Sequence, residues 1–312
     1  MKIFFSIIIL FYCNISTAKS IFESEFHQIS FVSSDVLKEK NKIINNIKKI
    51  SLEKILDNIL TVNSYDNYFS KLSEDTINFF IKNIIIENEK IINNYYFSNI
   101  KINFDKKKII QDIKSNNLSY VEYIPNKILT IIAEKDKINK KSLSKNNTYY
   151  NYLLKNNDKF NFYFLPNLDI NDRFILSDKD IIDLNYLNII KLKKKYNYEN
   201  AIIIISNKTY EYYVYKIYLS IDDKFFKVNE FSTKNRNFND FFEISQKNIL
   251  DIWKQHNSVS FQNLSEINCY INYYNLLELK KIKELIDRIS LIKKIQLINV
   301  ELKSNRYKII FY

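Results

Sequence analysis

Five aspartates in one short stretch, Asp169, Asp172, Asp178, Asp180 and Asp183, are the densest gathering of chemically capable side chains in this 312-residue sequence. Carboxylates grouped like this could hold calcium or act as an acid/base pair on a glycosidic bond. A calcium loop of the EF-hand kind, however, turns on a glycine at its sixth position and spaces its ligands differently. A glycosidase pair needs two carboxyl groups facing each other roughly 5 to 9 Å apart, which spacing along a chain does not establish. Acidic residues also belong in the first turns of helices, where they meet unpaired N–H groups and the positive end of the dipole. Helix capping is the simpler account, and an exported hydrolase built on Asp169 to Asp183 stands as the alternative function.

Other candidates for chemistry are fewer. The two histidines, His27 and His256, lack the two-histidine spacing of a zinc helix, and a serine or cysteine nucleophile would have only these imidazoles to draw on as base. His27 falls in an early strand and His256 at a helix end beside Asn257, so each reads as a surface or cap residue. Tyr210, Tyr212, Tyr213, Tyr215 and Tyr218 could form a stacking platform for bases or sugars, with nearby lysines for phosphate, but the chain has 24 tyrosines and such a cluster is cheap. Cys269 sits in an apolar strand and reads as filler, and Trp253 shares a helical face with Ile249 and Ile252. The sequons at Asn146 and Asn207 carry almost no weight in an asparagine-rich chain. No catalytic, cofactor-binding or metal-binding residue is assigned, and no cofactor is expected.

The chain contains no glycine. A P-loop, a dinucleotide fingerprint, a kinase glycine-rich loop and a Gly-x-Ser-x-Gly elbow all depend on glycine, so none exists here in standard form. Lys, Asn, Ile, Tyr and Phe abound while residues with G/C-rich codons are nearly gone, which points to an AT-rich genome. Asparagine, tolerant of the left-handed region, must then serve many turns. Hydrophobic residues make up 46%, enough for a packed core, and the charged share of 26% is ordinary, so a disordered reading fails. The formal charge of +12 invites nucleic acid or anionic lipid. Yet the lysines are scattered, and the densest run, Lys191 to Lys195, reads as the solvated end of a helix. A basic nucleic-acid-binding protein is a further alternative, but no nucleic acid is the expectation.

At the start, Met1-Lys2 supplies a positive end, Ile3 to Tyr12 an apolar stretch, and Ser16-Thr17-Ala18 the small-x-small pattern cut by a signal peptidase. The reading is a signal peptide over 1–18, cleaved after Ala18, with a secreted or periplasmic product. Cleavage removes Cys13 and leaves Cys269 alone, so no intramolecular disulfide is expected. The alternative keeps the segment as an uncleaved N-terminal anchor, with membrane contact through it.

Periodicity predicts an α+β fold of serial small modules, each an antiparallel or mixed sheet with helices on one face: 19–124, 125–260 and 261–312. Phe26 to Val32 reads as a strand. Asp35 caps a helix with Ile43, Ile44, Ile47, Ile50, Ile55, Leu56, Ile59 and Leu60 on one face, and Ser73 caps a second with Ile77, Phe80, Ile81 and Ile84. Two strands follow, joined at Asn93-Asn94, the second alternating Ile100, Ile102 and Phe104 with polar residues. Asp105 caps a helix carrying Ile109, Ile110 and Ile113. Past Pro125, Lys127 to Ala133 is a strand, Lys135 to Asn147 an exposed loop, and Phe160 to Leu165 a strand ended by Pro166. Ser177 starts a helix running to about Tyr196. Ala201 to Ile205 is a strand buried on both faces, followed by strands over Tyr210 to Ser220 and Lys224 to Phe231 and a helix over Phe241 to His256. Ile267 to Tyr273, Leu276 to Ile289, Ile292 to Leu302 and Arg306 to Tyr312 read strand, helix, strand, strand.

This order of segments resembles a family of exported proteobacterial proteins known as a domain of unknown function, especially members from AT-rich marine alphaproteobacteria. The likeness rests on the leader, the Ile43 to Leu60 helix, Ile84 to Phe104 with its Glu87-Asn88-Glu89 step, and Asn103-Phe104-Asp105. It continues through Leu165-Pro166, Asp183-Leu184, Lys195-Tyr196 ahead of the Ala201 to Ile205 strand, and Trp253. The resemblance implies compartment and architecture and transfers no catalytic residue. Together these readings lead to a non-enzymatic periplasmic accessory protein that binds another envelope component, a protein or a cell-wall constituent.

Overall fold

The structure is a computed structural model that describes residues 21–136, 140–259, 264–286, 289 and 291–311; the leader and its cleavage position at Ala18 lie outside these residues. The fold is α+β, with three sheets that are antiparallel or mixed. The chain divides into two compact units, one holding the described residues up to Asn58 with Asp66–Asn116, the other Ile59–Tyr65 with the residues from Asn117 onward.

The first unit runs β1 (His27–Val32), α1 (Val36–Ile59, whose last residue joins the second unit), α2 (Val62–Phe69, shared between the units), α3 (Glu74–Phe80), β2 (Ile81–Ile92), β3 (Tyr95–Phe104) and α4 (Lys106–Ser115). Its sheet is antiparallel in the order β1-β3-β2. Alternation decides which face of β3 is covered: Ile100 and Ile102 are fully buried while Asn99 and Lys101 are half-buried. The α1 stripe lies inward at Ile44, Ile47, Ile55 and Leu56, although Ile50 faces solvent. Asp105 caps α4, its Oδ1 accepting from the Lys107 and Lys108 N–H groups at 2.9 and 3.4 Å, a device worth about 1 kcal/mol. The helix capped by Ser73 is shorter than its apolar spacing predicts. It stops at Phe80, and Ile81 and Ile84 belong to β2. The run Ile84-Ile85-Ile86 is β-branched at successive positions, which suits a strand better than a helix turn.

The second unit contains β4 (Ile128–Lys135), β5 (Lys140–Lys141), α5 (Thr148–Lys155), β6 (Tyr163–Phe164), α6 (Ile170–Ile175), α7 (Asp178–Ile182), α8 (Tyr186–Tyr196), β7 (Ala201–Lys208), β8 (Tyr213–Ile221), β9 (Lys224–Thr233) and α9 (Phe238–Asn257). A further sheet follows, from β10 (Ser265–Asn272), α10 (Leu276–Ile286), β11 (Ile292–Glu301) and β12 (Ser304–Phe311), in the antiparallel order β10-β12-β11. The central sheet has the order β5-β4-β7-β8-β9 with β6 beside β4, and β4 and β7 run parallel. Ile128 to Ala133 and Ala201 to Ile204 are buried at every position, as unbroken apolar runs require. Helices accordingly cover both faces of this sheet. From one side Tyr149 of α5 and Phe241 of α9 set their rings against Tyr215 of β8; from the other Lys193 of α8 reaches the Ser220 hydroxyl, also on β8.

Three elements differ from the periodic reading. The stretch Lys135 to Asn147 is not simply an exposed loop, because Leu143 and Asn147 are fully buried. Between β6 and β5 the outer edge of β4 lacks a strand partner, and side chains supply one. The Tyr150 hydroxyl accepts the Ile132 N–H at 2.7 Å, and the Asn147 amide donates to the Ile132 carbonyl at 3.2 Å and to the Lys141 carbonyl at 2.6 Å. The strand read over Phe160 to Leu165 shrinks to Tyr163–Phe164. The helix starting at Ser177 ends at Ile182, Leu184 turns to φ 52°, and Asn185 caps a new helix.

Turns follow from the lack of glycine. Among the described residues Asn88, Asn93, Asn117 and Asn197 take φ of 54–57°, and Asp222-Asp223, both at positive φ, close the β8–β9 hairpin. Leu168, Leu184 and Lys303 are also left-handed, positions where a Cβ costs roughly 1–2 kcal/mol.

Candidate functional site

The aspartate stretch is spread over two short helices, α6 and α7. Asp169 caps α6, accepting the Asp172 N–H at 2.8 Å, and that hydrogen bond holds its carboxyl below the usual range. Asp180 completes a capping box with Ser177, whose side chain keeps its pKa low, and Asp183 closes α7. Asp178 accepts the Ser142 N–H at 3.2 Å. Only Asp172 is fully buried, and it is saturated: Lys195 donates at 2.7 Å, the Tyr196 hydroxyl at 2.8–2.9 Å and the Leu168 N–H at 2.9 Å. The structure therefore brings Asp169 and Asp172 together on one ammonium and places the other three on α7, Asp178 and Asp180 in its first turn and Asp183 at its C-terminal end. Burial, followed by the bond to Asp172, pushes Tyr196 up to about 12, and the bond to Asp172 raises Lys195. This cluster fastens the segment before α6 to the end of α8.

Two lysines of the 191–195 run are correspondingly engaged by the fold, and one of them is out of solvent. Lys195 is spent on Asp172. Lys193 is buried and reaches the Ser220 hydroxyl and, at 3.6 Å, Asp223.

His27 is neither a cap nor a surface residue. Half-buried on β1, it meets the Ser51 hydroxyl of α1 at 3.2 Å, and burial followed by the charge of Lys54 lowers its pKa, so the imidazole is neutral at neutral pH. Ser51 is itself buried, which leaves this pair as a helix-to-sheet tie. His256 lies at the end of α9, 3.2 Å from Asp222. Cys269 is half-buried on β10 opposite Tyr307, and Trp253 is buried with Tyr123 edge-on at 5.2 Å. The tyrosine platform does not form as a surface. Tyr210 and Tyr212 sit ahead of β8, while Tyr215 and Tyr218 differ in parity and so point to opposite faces.

Strand register assembles a different group. Glu134, Ser206, Tyr215 and Phe231 lie in one transverse row across β4, β7, β8 and β9. The row crosses the carboxyl ends of the two parallel strands, the end where α/β sheets place ligands. Glu134 accepts from Thr148 N–H at 2.9 Å, Thr148 hydroxyl at 2.8 Å and Arg236 at 2.8 Å. Arg236 also contacts the Thr148 hydroxyl and lies over the rings of Tyr149, Phe238 and Tyr213 at 4.4, 4.5 and 5.1 Å. Below it the Tyr149 hydroxyl is 2.6 Å from Ser206 Oγ and 3.1 Å from the Tyr215 hydroxyl. Burial drives both tyrosines upward in pKa, so they stay protonated and serve as hydrogen-bond partners only.

Beside this row opens a cleft of about 490 Å³. Tyr215 and Phe231 of the sheet and Phe241 and Ile244 of α9 form its apolar walls, and Asn229 and Asn235 its polar rim. Two other clefts, of about 400 and 410 Å³, are lined by Lys42, Lys48, Lys49 and Asn78 in the first unit and by Tyr123, Lys127, Lys194 and Trp253 in the second. Neither combines apolar walls with an open strand edge, which the β9 cleft does.

Arg236, Glu134 and Thr148 escape a motif search because they are 88 to 102 residues apart or lie outside any known spacing. One signal was available. The chain has only four arginines, so an arginine next to aromatics, where the codon bias favours lysine, marks a site needing a flat guanidinium.

No protein-family model matches this chain, and no curated protein matches it. Among the described residues no helix is long and apolar enough to cross a membrane.

Proposed function

We propose that this is an exported protein of the bacterial envelope, akin to the exported proteobacterial proteins it resembles, that works by binding another envelope component and not by making or breaking bonds. The leader pattern at Met1 to Ala18 supports the compartment. The observation that carries the rest is how the reactive side chains are spent. Asp172 is closed in by Lys195, Tyr196 and a backbone N–H; Glu134 by Arg236 and Thr148; His27 by Ser51. The accessible β9–α9 cleft is instead walled mainly by aromatic rings, an isoleucine and amides, and its carboxylate, Asp240, accepts from the Asn237 amide at 2.7 Å.

Fractionation of producing cells with N-terminal sequencing of the recovered protein tests the compartment: the expected product starts after Ala18 and leaves with the periplasmic contents. An intact Met1 on cytosolic protein refutes export. Turnover of glycoside, ester or phosphate substrates, abolished by Asp169→Asn, refutes the binding role. Retention on DNA with a steep salt slope would replace it with nucleic-acid binding.

A further inference from the structure

Among the described residues that line the β9–α9 cleft there is no lysine or arginine. The basic side chains around it are already answered: Lys216 and Lys227 by Glu230 at 3.4 and 2.6 Å, Lys234 by Glu211 at 3.4 Å, and Arg236 by Glu134 at 2.8 Å. The one charged group in the lining is the exposed carboxylate of Asp240. An anion entering here would meet like charge. The edge of β9 is also partly used, since Asn229 Oδ1 accepts the Glu230 N–H at 2.8 Å, and recognition in the cleft therefore falls to side chains.

Those side chains leave open a mixture of donors and acceptors. Asp240 Oδ2 accepts the Asn237 amide at 2.7 Å, and its Oδ1 has no partner among the described residues. The Asn229 oxygen is taken, but its NH2 group donates to nothing there. The Asn235 side chain makes no hydrogen bond either, although its backbone is pinned: its N–H donates to Thr233 Oγ1 at 3.2 Å, and its carbonyl accepts from that hydroxyl at 3.0 Å. An amide offers two donors and an acceptor, and a carboxylate oxygen accepts only. Between these groups Tyr215, Phe231 and Phe241 form one apolar floor, with ring centroids 4.6–6.1 Å apart. Tyr215 and Phe241 are buried and Phe231 half-buried, so the ring a ligand meets is that of Phe231.

We propose that the β9–α9 cleft binds a neutral saccharide. A pyranose ring carries hydroxyls along its rim, each both donor and acceptor, and a flat face of weakly positive C–H bonds. That face fits the electron-rich face of Phe231, while the hydroxyls meet Asn229 and Asn235 from the strand side and Asp240 from the helix side. The volume of about 490 Å³ lies within the roughly 300–1,000 Å³ of small-molecule clefts. A nucleotide or an acidic glycan would set its own anion against Asp240 with no lysine or arginine in the lining to offset it. A wholly apolar ligand would strip water from two amides and a carboxylate and return no hydrogen bond. A neutral polyol satisfies both. This assignment rests on the binding role above and names the class of ligand.

The test screens the purified full-length chain on an array of neutral and acidic glycans and measures the hits by calorimetry against variants. At least one neutral glycan is expected to bind with a Kd of about 1 mM or tighter, equally well at low and high salt because no ion pair contributes. Asn235 is exposed and lies outside any strand or helix, so Asn235→Ala should leave the fold intact and lose about tenfold in affinity. Phe231→Ala should lose at least as much, Phe231→Tyr should keep most of the affinity, and Leu277→Glu, on α10, should lose nothing. Failure of every neutral glycan on the array, tighter binding of acidic glycans with a steep salt slope, or hits indifferent to both Asn235→Ala and Phe231→Ala each overturns the site. Glycan hits that respond to Leu277→Glu instead would sink this site and leave the binding role standing. Cleavage of a bound glycan, abolished by Asp240→Asn, would sink the binding role and not the site.

Discussion

The central sheet and the C-terminal sheet of the second unit follow the same local grammar and reach different degrees of closure. In the former, β4 and β7 are buried at successive positions, and the rings of Tyr149, Tyr152, Phe160, Tyr163, Phe238 and Phe242 interlock at 4.9–6.4 Å. In the latter, the apolar side chains buried among the described residues are Ile271, Leu279, Tyr307 and Ile309, with Cys269, Ile282 and Ile295 half-covered. Leu276, Leu277, Leu297, Val300 and Leu302 stand 51–94% exposed. At roughly 25 cal/mol for each Å² of apolar surface removed from water, the interlocked region gains far more from burial than the C-terminal sheet does. One helix shields too little of a three-stranded sheet to do the same, so the lesson is that regular elements do not by themselves make a core.

The comparison can be broken most directly by truncation. Phe242→Ala should cost about 3–5 kcal/mol in denaturant unfolding, because its ring is fully enclosed, whereas Leu279→Ala should cost nearer 2. Equal costs would mean the C-terminal core is tighter than its burial implies. Amide exchange provides a second reading, with β7 exchanging only on global unfolding and β10 by local opening. A smaller effect is expected at the tie before α8. Asp172→Ala removes the partner of Lys195 and the acceptor of the Leu168 N–H, and should cost about 3 kcal/mol, the low end for a broken buried pair because Lys195 is partly solvated. A loss below about 0.5 kcal/mol, the range of an ordinary surface substitution, would show that the buried carboxylate does not stabilise the fold. The smallest change goes the other way. Lys303 holds φ 59° at the β11–β12 turn with its side chain in solvent, so Lys303→Gly should stabilise by about 1 kcal/mol or less, read as slower exchange across β12. No gain there would mean that the turn is not what limits this module.

Much of the local structure was legible along the chain. Alternation at Ile100, Ile102 and Phe104, the cap at Asp105, the asparagine turn at Asn93-Asn94 and the βαββ order from Ser265 to Phe311 are all where their spacing puts them. The failures have identifiable causes. Apolar residues at Ile81 and Ile84 match a helical period and also a strand, and three adjacent isoleucines decide for the strand. The break at Leu184 is invisible to periodicity because leucine is an unusual residue at positive φ; Asn185, a good cap, was the clue that a new helix begins. The tyrosine cluster misled because neighbours in sequence alternate between sheet faces.

What the sequence by itself settled is the set of elements, their caps, and the substitution of asparagine and aspartate for glycine in turns, since each depends on a few adjacent residues. Tertiary structure decided which side chains meet. Asp172 became a buried anchor and not a catalytic acid only once Lys195, 23 residues away, folded onto it. Glu134 met Arg236, from the loop after β9, across 102 residues, and strand order alone put β9 at the end of the sheet. Local propensity reaches a turn or two along the chain, whereas these meetings are set by how whole faces bury their apolar surface, a property no short window contains.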